Sequence, residues 1–148
     1  MLRCRHAETQ SPALLRRLPA FFCPIANTLD ILGDKWTLLV ARDLLFLGKR
    51  LYGDFMQSPE GIPSNILADR LRRLEEARLV TRRPYQDNPV RHEYRLTEKG
   101  RDLYPILKEM ARWGSKHVAG TYAPPAGFFD ELEKRLAAPK PKQARKKR

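Results

Sequence analysis

Few features of the sequence suit export, membrane insertion or covalent cross-linking. The 148 residues include two cysteines, Cys4 and Cys23, which is too few for a scaffold held together by disulfides, so we expect a reducing, cytoplasmic environment. No apolar run approaches the roughly 18 residues needed to cross a bilayer. The first twenty residues contain four arginines but lack the apolar stretch of a secretory signal peptide. The sequence therefore predicts neither a membrane protein nor an exported one.

Signals for catalysis or metal binding are also scarce. The three histidines, His6, His92 and His117, do not cluster with cysteines or acids at metal-ligand spacing. There is no glycine-rich loop of the kind that cradles phosphate, and no serine or cysteine stands in the context of a catalytic triad. We therefore expect no metal, no cofactor and no enzymatic activity.

Acidic residues are outnumbered by basic ones, and the imbalance lies mostly at the two ends. The chain has 29 Lys and Arg against 17 Asp and Glu, a net charge of +12. Residues 1–20 contribute +3 and residues 137–148 contribute +6, whereas residues 21–136 have 19 basic and 16 acidic side chains. Such a charge favours a polyanionic partner, most often nucleic acid. The basic C-terminal end predicts a disordered tail, which either only keeps the protein in solution or adds affinity for DNA.

Apolar residues in the middle of the chain recur every three or four positions, which is the spacing of helices. They predict one helix over 25–32 and a second over 35–47. Gly33 can end the first helix, Asp34 can cap the second, and Gly48 can end it.

A pair of helices joined by a tight turn is predicted next. A short helix covers 51–57, the turn covers 58–61, and a longer helix begins at Ser64, which can cap it, and runs to about Ala77. The apolar side chains of both helices are predicted to face inward: Tyr52, Phe55, Met56, Ile66, Leu67, Leu71 and Leu74.

The pattern then changes to two strands and a long helix. Residues 79–85 and 91–97 predict a hairpin around the turn-forming residues 86–90. Thr97 is predicted to cap the long helix, in which Pro105 either introduces a kink or delays the regular part until after Tyr104. The apolar stripe of this helix is Leu103, Ile106, Leu107, Met110 and Trp113.

This order of elements predicts a mostly helical α+β fold, a winged helix-turn-helix with a two-stranded wing and a C-terminal dimerisation helix. In that fold the second helix of the pair enters the major groove, and the ribbon reaches the DNA backbone or the minor groove. The stripe of the long helix, together with the helix over 25–32, is the predicted dimer interface. A last amphipathic stretch is predicted over 128–136.

Short motifs along the same segment resemble those of one family of regulators. They are CPI at 23–25, GDKWTLL at 33–39, RDL at 42–44, YGDF at 52–55, GIPSNILADRL at 61–71, LEEARLV at 74–80, EYRLTEKG at 93–100 and WG at 113–114. In order and spacing they resemble the HxlR family of bacterial winged-helix transcriptional regulators, in the wider MarR-like group. The resemblance implies a homodimeric DNA-binding repressor or activator of nearby genes. It divides the chain into an N-terminal extension over 1–22, the HxlR-type domain over 23–121 and a C-terminal extension over 122–148.

Two positions depart from the pattern of that family. Tyr52 stands where many members have Phe, which is a conservative change. Arg78 stands where many members have Gly, directly after the predicted recognition helix. A helix end that needs a positive φ is strained by any residue with a side chain.

The predicted recognition helix and its surroundings supply the candidate DNA contacts. Asn65 can pair with adenine, and Ser64 either caps the helix or donates to a base or phosphate. Arg72 and Arg73 either contact DNA or pair with nearby acids, Arg70 reaches a phosphate or packs on the hairpin, and Arg91 suits a narrow minor groove. The complete predicted set is Lys49, Arg50, Ser64, Asn65, Asp69, Arg70, Arg72, Arg73 and Arg91.

Cys23 directly precedes the first predicted helix, where some HxlR relatives have a redox-sensing thiol. A helix N-terminus can activate a thiol, whereas a free cysteine is also commonly a small buried apolar residue, and both interpretations stay open. The sequence does not identify an inducer, and an oxidant and a small molecule both stay open as candidates. The leading hypothesis is a homodimeric regulator that binds a pseudo-palindromic operator in double-stranded DNA. The alternatives are a nonspecific nucleic-acid-binding protein, attracted through its basic ends, and a protein–protein module.

Overall fold

A computed structural model of the protein describes residues 23–138. Cys4, His6 and the basic tail predicted to be disordered lie outside the described residues. The predicted winged helix-turn-helix of mostly helical α+β class is confirmed. Its elements are α1 (Pro24–Leu32), α2 (Lys35–Leu45), α3 (Tyr52–Met56), α4 (Ser64–Glu76), β1 (Val80–Asp87), β2 (Val90–Leu96), α5 (Glu98–Arg101), α6 (Tyr104–His117) and α7 (Phe128–Ala137).

The chain divides into two compact units between Lys35 and Trp36, and α1 belongs to the first. Cys23 is the N-cap of α1, and a proline follows it in the first turn, where the missing N–H costs nothing. The helix ends at Gly33, as predicted, but at an ordinary φ of −71°. Glycine is required there because a Cβ would collide with the carbonyl oxygen of Leu29.

In the second unit the helix-turn-helix buries one apolar side of each helix. Phe55 of α3 and Leu67, Leu71 and Leu74 of α4 are buried, as predicted. The prediction that Tyr52 and Met56 face inward was wrong, because they are 36% and 39% exposed. A five-residue helix makes little more than one turn, and in α3 the buried side chain is that of Phe55.

Tyr52 forms a hydrogen bond at the surface of the same pair of helices instead of packing in the core. Its hydroxyl donates a hydrogen bond to the carbonyl oxygen of Ser64 at 2.7 Å. This bond connects the start of α3 to the first turn of α4. Tyrosine at this position therefore adds a contact that the Phe of many family members cannot make, since Phe has no hydroxyl.

The prediction that Ser64 caps α4 was also wrong by one position. Pro63, in extended conformation, is the N-cap, and Ser64 is the first helical residue with no capping hydrogen bond from its side chain. The carbonyl of Pro63 accepts the first helical hydrogen bond, from Leu67 N–H at 2.9 Å. The hydroxyl of Ser64 is therefore not used to close the helix.

The other end of α4 has the geometry that makes arginine unfavourable. Arg78 adopts φ 58°, in the left-handed region. Its N–H donates to Glu75 O, and the N–H of Leu79 donates to Leu74 O, both at 2.9 Å. This pair of bonds closes the helix in the Schellman arrangement, which normally uses glycine at the left-handed position.

The wing is an antiparallel hairpin that is longer than predicted. Its strands extend to Asp87 and from Val90, so the connecting loop shrinks to two residues. Pro84 lies opposite His92, and the register shifts directly after Pro84. Leu51, in the segment before α3, makes an isolated bridge to β2 and thereby holds the base of the wing against the helix-turn-helix.

After the wing, the chain makes a short helix before the long one. Thr97 caps α5, not the long helix, by accepting a hydrogen bond from Gly100 N–H at 3.0 Å. The long helix α6 starts at Tyr104 with Pro105 in its first turn. Of the two predicted effects of Pro105, the delayed start is therefore the one observed, because the first turn tolerates a residue without an N–H.

The last helix, α7, packs on α2 and α6 through an aromatic cluster. Phe46 meets Tyr104, Phe128 and Phe129 edge to face, with ring centroids 6.0–6.2 Å apart. The hydroxyl of Tyr104 bonds to the carboxylate of Glu133 at 3.0 Å. None of the helices described between residues 23 and 138 combines the length and apolar character that crossing a bilayer requires.

Candidate nucleic-acid interface

The recognition helix α4 has one buried side and one exposed side. Leu67, Leu71 and Leu74 form the buried side at spacings of four and three residues. Ser64, Asn65 and Ala68 lie at the N-terminal end of the exposed side. The N-terminal part of a recognition helix is the part that contacts base edges in this class of domain. The structure therefore leaves Asn65 open to solvent on the side where DNA would bind.

The arginines of α4 are organised around one carboxylate. Asp69 forms ion pairs with Arg70 at 2.8 Å, Arg72 at 2.7 Å and Arg73 at 2.9 Å. The hydrogen bond from Arg72 and the neighbouring positive charges hold the pKa of Asp69 below its usual value. Arg72 also pairs with Glu76 at 2.6 Å. Of the two interpretations of Arg72 and Arg73, pairing with nearby acids is the observed one.

Arg70 differs from its two neighbours in exposure. Its side chain is largely buried, whereas those of Arg72 and Arg73 are exposed. Burial favours the packing interpretation of Arg70 over a phosphate contact. Arg72 and Arg73 stay at the surface, where each guanidinium has five donors and only some are used by Asp69.

Lys49 is one of the predicted DNA contacts, but its ammonium group points into the domain. It pairs with the carboxylate of Asp43 at 2.9 Å and bonds to the hydroxyl of Ser58 at 2.6 Å. The side chain of Lys49 is 18% exposed. We therefore assign Lys49 a structural role, because moving it to a phosphate would leave the buried Asp43 with one cation fewer. The neighbouring Arg50 is exposed.

Lys49 is part of an ion-pair network that sequence reasoning missed. Asp43, which is 2% exposed, also accepts hydrogen bonds from Arg42 at 2.6 and 2.9 Å and a short one from Ser58. Arg42 in turn holds both oxygens of Glu60, one at 3.0 Å and one closer. This bidentate bond lowers the pKa of Glu60 to about 2 and raises that of Arg42.

The network connects α2 to the turn of the helix-turn-helix. Arg42 and Asp43 belong to α2, whereas Ser58 and Glu60 lie in the turn between α3 and α4. The turn is therefore held by charge-assisted bonds as well as by apolar packing. A signal was present in the sequence, because Asp43 lies three residues after Val40 on the buried side of α2, where an acid needs a partner.

The wing places basic side chains on an exposed ribbon. Arg91 lies on β2 opposite Gln86, close to the tip, and it is exposed. Among residues 23–138, no ion pair involves Arg91, in contrast to Arg82, which is 3.7 Å from Glu75, and Arg95, which is 2.8 Å from Glu93. Arg91 is therefore exposed without an ion pair in the described part of the chain, and its contact with DNA stays a prediction.

The predicted dimer stripe on α6 is only partly available to a partner. Leu107 is buried, and Leu103 packs against the same core cluster as Leu107. Ile106, Met110 and Trp113 are 42%, 49% and 63% exposed and follow one another at spacings of four and three residues. They form one apolar side of α6, which we call the α6 face. The assignment of this face to a dimer interface stays a prediction.

Cys23 stands at the N-cap of α1 and is half-buried. Its side chain makes no capping hydrogen bond. The position agrees with the one that the resemblance implied, directly before the first helix. In the part of the chain between residues 23 and 138, no three or more His, Cys, Asp or Glu side chains lie close enough together to hold a metal ion.

A short helix, an anchored turn, an amphipathic second helix and a basic ribbon define a helix-turn-helix domain of the winged type. The chain belongs to the HxlR-like helix-turn-helix family, whose model matches residues 31–122. The resemblance seen in the motifs is thereby confirmed. The names of the relatives are those of transcriptional regulators rather than of enzymes.

Individual relatives agree with this family. An HTH-type transcriptional regulator of Mycobacterium tuberculosis is 41% identical over 101 residues, which cover 68% of this chain and 63% of the relative, so the chain matches under two thirds of that protein. The redox regulator HypR in its reduced form has a TM-score of 0.60 at 34% identity, covering 66% of this chain and 95% of HypR. The reduced form of the transcriptional regulator YodB from B. subtilis has a TM-score of 0.54 at 28% identity, covering 68% and 99%.

Proposed function

We propose that this protein is a sequence-specific transcriptional regulator that binds a pseudo-palindromic operator as a homodimer. The observation that supports this most directly is the division of α4 into a buried leucine side and an exposed N-terminal side with Ser64 and Asn65. The turn before α4 is held to α2, so the helix is presented in a defined orientation. Preorganised side chains can discriminate bases, whereas a mobile basic surface cannot.

In this proposal, α4 reads the major groove and the wing contacts the flanking DNA. Asn65 contacts a base edge, Arg91 enters the minor groove, and Arg50, Arg72 and Arg73 contact phosphates. Arg72 and Arg73 can do so without leaving Asp69, because a guanidinium donates in several directions. Asp69 positions these arginines, and as a carboxylate it can accept hydrogen bonds but not donate them to DNA.

The homodimer is proposed to form through the α6 face. Its three large apolar side chains are exposed on one side of a 14-residue helix. In α1, which the sequence also assigned to the dimer interface, the side chains of Ile25 and Leu29 are exposed. Two recognition helices related by a twofold axis would contact two half-sites, which is the reason for a pseudo-palindromic operator.

Cys23 is proposed to make the regulator responsive to oxidants. It is half-buried at the N-cap of α1, the position that the family resemblance implied for a redox-sensing thiol. HypR, which is named a redox regulator, shares the fold. The test compares operator binding before and after treatment with hydrogen peroxide in the parent and in Cys23→Ser. A parent whose affinity is unchanged by peroxide would remove this part of the proposal and leave the rest intact.

The decisive experiment for the main proposal is selection of bound genomic fragments with the purified protein. A single enriched inverted repeat would establish specific binding and its half-site spacing. Asn65→Ala should then weaken binding to that site by about 1–3 kcal/mol and binding to scrambled DNA much less. Arg91→Ala should weaken both, because minor-groove and backbone contacts depend less on sequence.

The alternative is a nonspecific nucleic-acid-binding protein attracted by its basic ends. Residues 1–20 and 137–148 together contribute +9 of the net charge of +12, which favours this reading. It predicts no enriched motif and equal losses on specific and scrambled DNA for Asn65→Ala. The same titrations at fixed salt therefore separate the two functions.

A further inference from the structure

A cleft of about 690 Å³ opens between the base of the wing, the end of α2 and α7. This volume falls within the roughly 300–1,000 Å³ of typical small-molecule sites. Its apolar lining comes from Leu44, Leu45, Leu96 and Leu136. One wall is α7, which lies beyond residues 31–122 and therefore beyond the part that defines the family.

The charge in this cleft is almost entirely of one sign. Seven of the lining side chains are basic, and Glu98 is the only acid among the described residues that line it. Three of the basic side chains, Arg50, Arg78 and Arg83, form no ion pair with any residue between 23 and 138. A concave surface with one sign of charge focuses its electric field and raises the local concentration of a counter-ion. The lining thus favours a negatively charged occupant.

Two further arginines of the cleft are held in place by backbone carbonyls. Arg135 of α7 donates to Leu45 O at 2.7 Å and to Phe46 O at 3.0 Å, and Arg101 donates to Leu136 O at 3.3 Å. A guanidinium has five N–H donors, so these bonds leave others for a ligand. A cation whose rotamer is already held loses less entropy when it binds an anion.

We propose that this cleft binds a small organic phosphate, with the phosphate group among the arginines and the apolar part against the leucines. Arginine forks match the geometry of phosphate oxygens and form short, charge-assisted hydrogen bonds with them. Because the ligand touches both the wing and α7, its binding fixes the position of one relative to the other. This site goes beyond the proposed DNA binding and does not depend on it.

The phosphates of a DNA backbone have the same chemistry, but the position of the cleft favours a small molecule. Arg78, in the cleft, follows the C-terminal end of α4, whereas Asn65 is at the N-terminal end. At a rise of about 1.5 Å per residue, the 13-residue helix separates these ends by roughly 20 Å. The cleft therefore lies away from the surface proposed to contact bases, although it shares Arg50 with the residues proposed to contact DNA phosphates.

The test uses phenyl phosphate as the probe in isothermal titration calorimetry with the full chain. The cleft variant combines Arg78→Asn, which tolerates the left-handed backbone, with Arg83→Gln. The matched control combines Arg72→Gln with Arg73→Gln and removes the same charge from α4. We expect one site per chain, weakened about tenfold or more in the cleft variant and less than twofold in the control.

Three results would overturn the proposal. One is equal weakening in both variants, which would show general attraction to a basic chain. Another is the absence of binding at probe concentrations of about 1 mM. The third is loss of probe binding when a scrambled duplex is added, together with a loss of duplex affinity in the cleft variant at least as large as in the control, whose arginines are proposed DNA contacts, because the cleft would then be a DNA contact too. If the double variant unfolds, Arg83→Gln alone, on the exposed strand, provides the comparison.

Discussion

Replacement of Asp43 by alanine tests whether the ion-pair network holds the helix-turn-helix together. The carboxylate is almost completely buried and contacts three partners: Arg42, Lys49 and Ser58. Its removal leaves the largely buried ammonium of Lys49 without an ion pair, since the remaining contact described for that group is the hydroxyl of Ser58. Breaking a buried ion pair by removing one partner costs about 3–5 kcal/mol.

The lower end of that range applies to Asp43. Arg42 keeps its bidentate bond to Glu60, and Lys49 is near enough to the surface to regain some hydration. We therefore expect Asp43→Ala to lower the free energy of unfolding by about 3 kcal/mol. For a domain of about 100 residues, that corresponds to a decrease in Tm of about 15 °C. Asp43→Asn, which keeps an acceptor oxygen, should cost less.

The assay is urea unfolding followed by circular dichroism, with Asp102→Ala as the matched control. Asp102 is exposed, so its replacement should change the free energy of unfolding by no more than about 0.5 kcal/mol. Adding Lys49→Met to Asp43→Ala should recover part of the loss, because the uncompensated charge is then removed. A loss below about 1 kcal/mol for Asp43→Ala would refute the argument that the network is a major source of stability.

Three other changes test separate features of the structure. Arg78→Gly should raise the free energy of unfolding by about 1 kcal/mol, because glycine relieves the positive φ, whereas Ala77→Gly, at a φ of −72°, should lower it. Urea unfolding measures both variants, and a lower free energy of unfolding in both would contradict the strain at Arg78. Met110→Glu combined with Trp113→Glu should convert a dimer into monomers in light scattering, while Lys116→Glu on the same helix should not; a monomeric parent at micromolar concentration would exclude the interface. Glu60→Gln should make the free energy of unfolding depend less on pH in the acid range. Glu60 has a pKa of about 2 in the folded protein against an ordinary 4.5, so its contribution to stability is present above pH 4.5 and is lost as the pH falls toward 2. Identical acid unfolding curves for parent and variant would contradict the assigned ion pair.

Much of the architecture followed from local patterns in the sequence. The spacing of Leu67, Leu71 and Leu74 predicts an amphipathic helix with one buried side, and the structure has it. The hairpin was likewise predictable from its turn residues, and Pro105 predicted either a kink or the delayed start at Tyr104 that the structure has. These features depend on residues a few positions apart, whose relative placement the periodicity of a helix or strand determines.

The wrong predictions for Ser64, Tyr52 and Met56 concern the ends of helices and a very short helix, where local sequence patterns are weaker guides. Ser64 is an accepted capping residue, yet Pro63 takes the N-cap position, because its extended conformation suits that position. Tyr52 and Met56 were assigned to the interior, but a helix of five residues offers room for one inward side chain. Periodicity predicts a face only when a helix has enough turns to define one.

The sequence by itself determined the class of fold, the position of the recognition helix and the strain at Arg78. Only the tertiary structure decided which charges are available. Lys49 and Arg91 are both basic residues in segments that the sequence predicts to be exposed. Lys49 pairs with the buried carboxylate of Asp43, six residues away, whereas Arg91 has no ion pair within residues 23–138. The cleft likewise joins Arg83 to Arg135 across more than fifty residues. Electrostatic interactions depend on distance in space and on burial, and neither can be read from the order of residues along a chain.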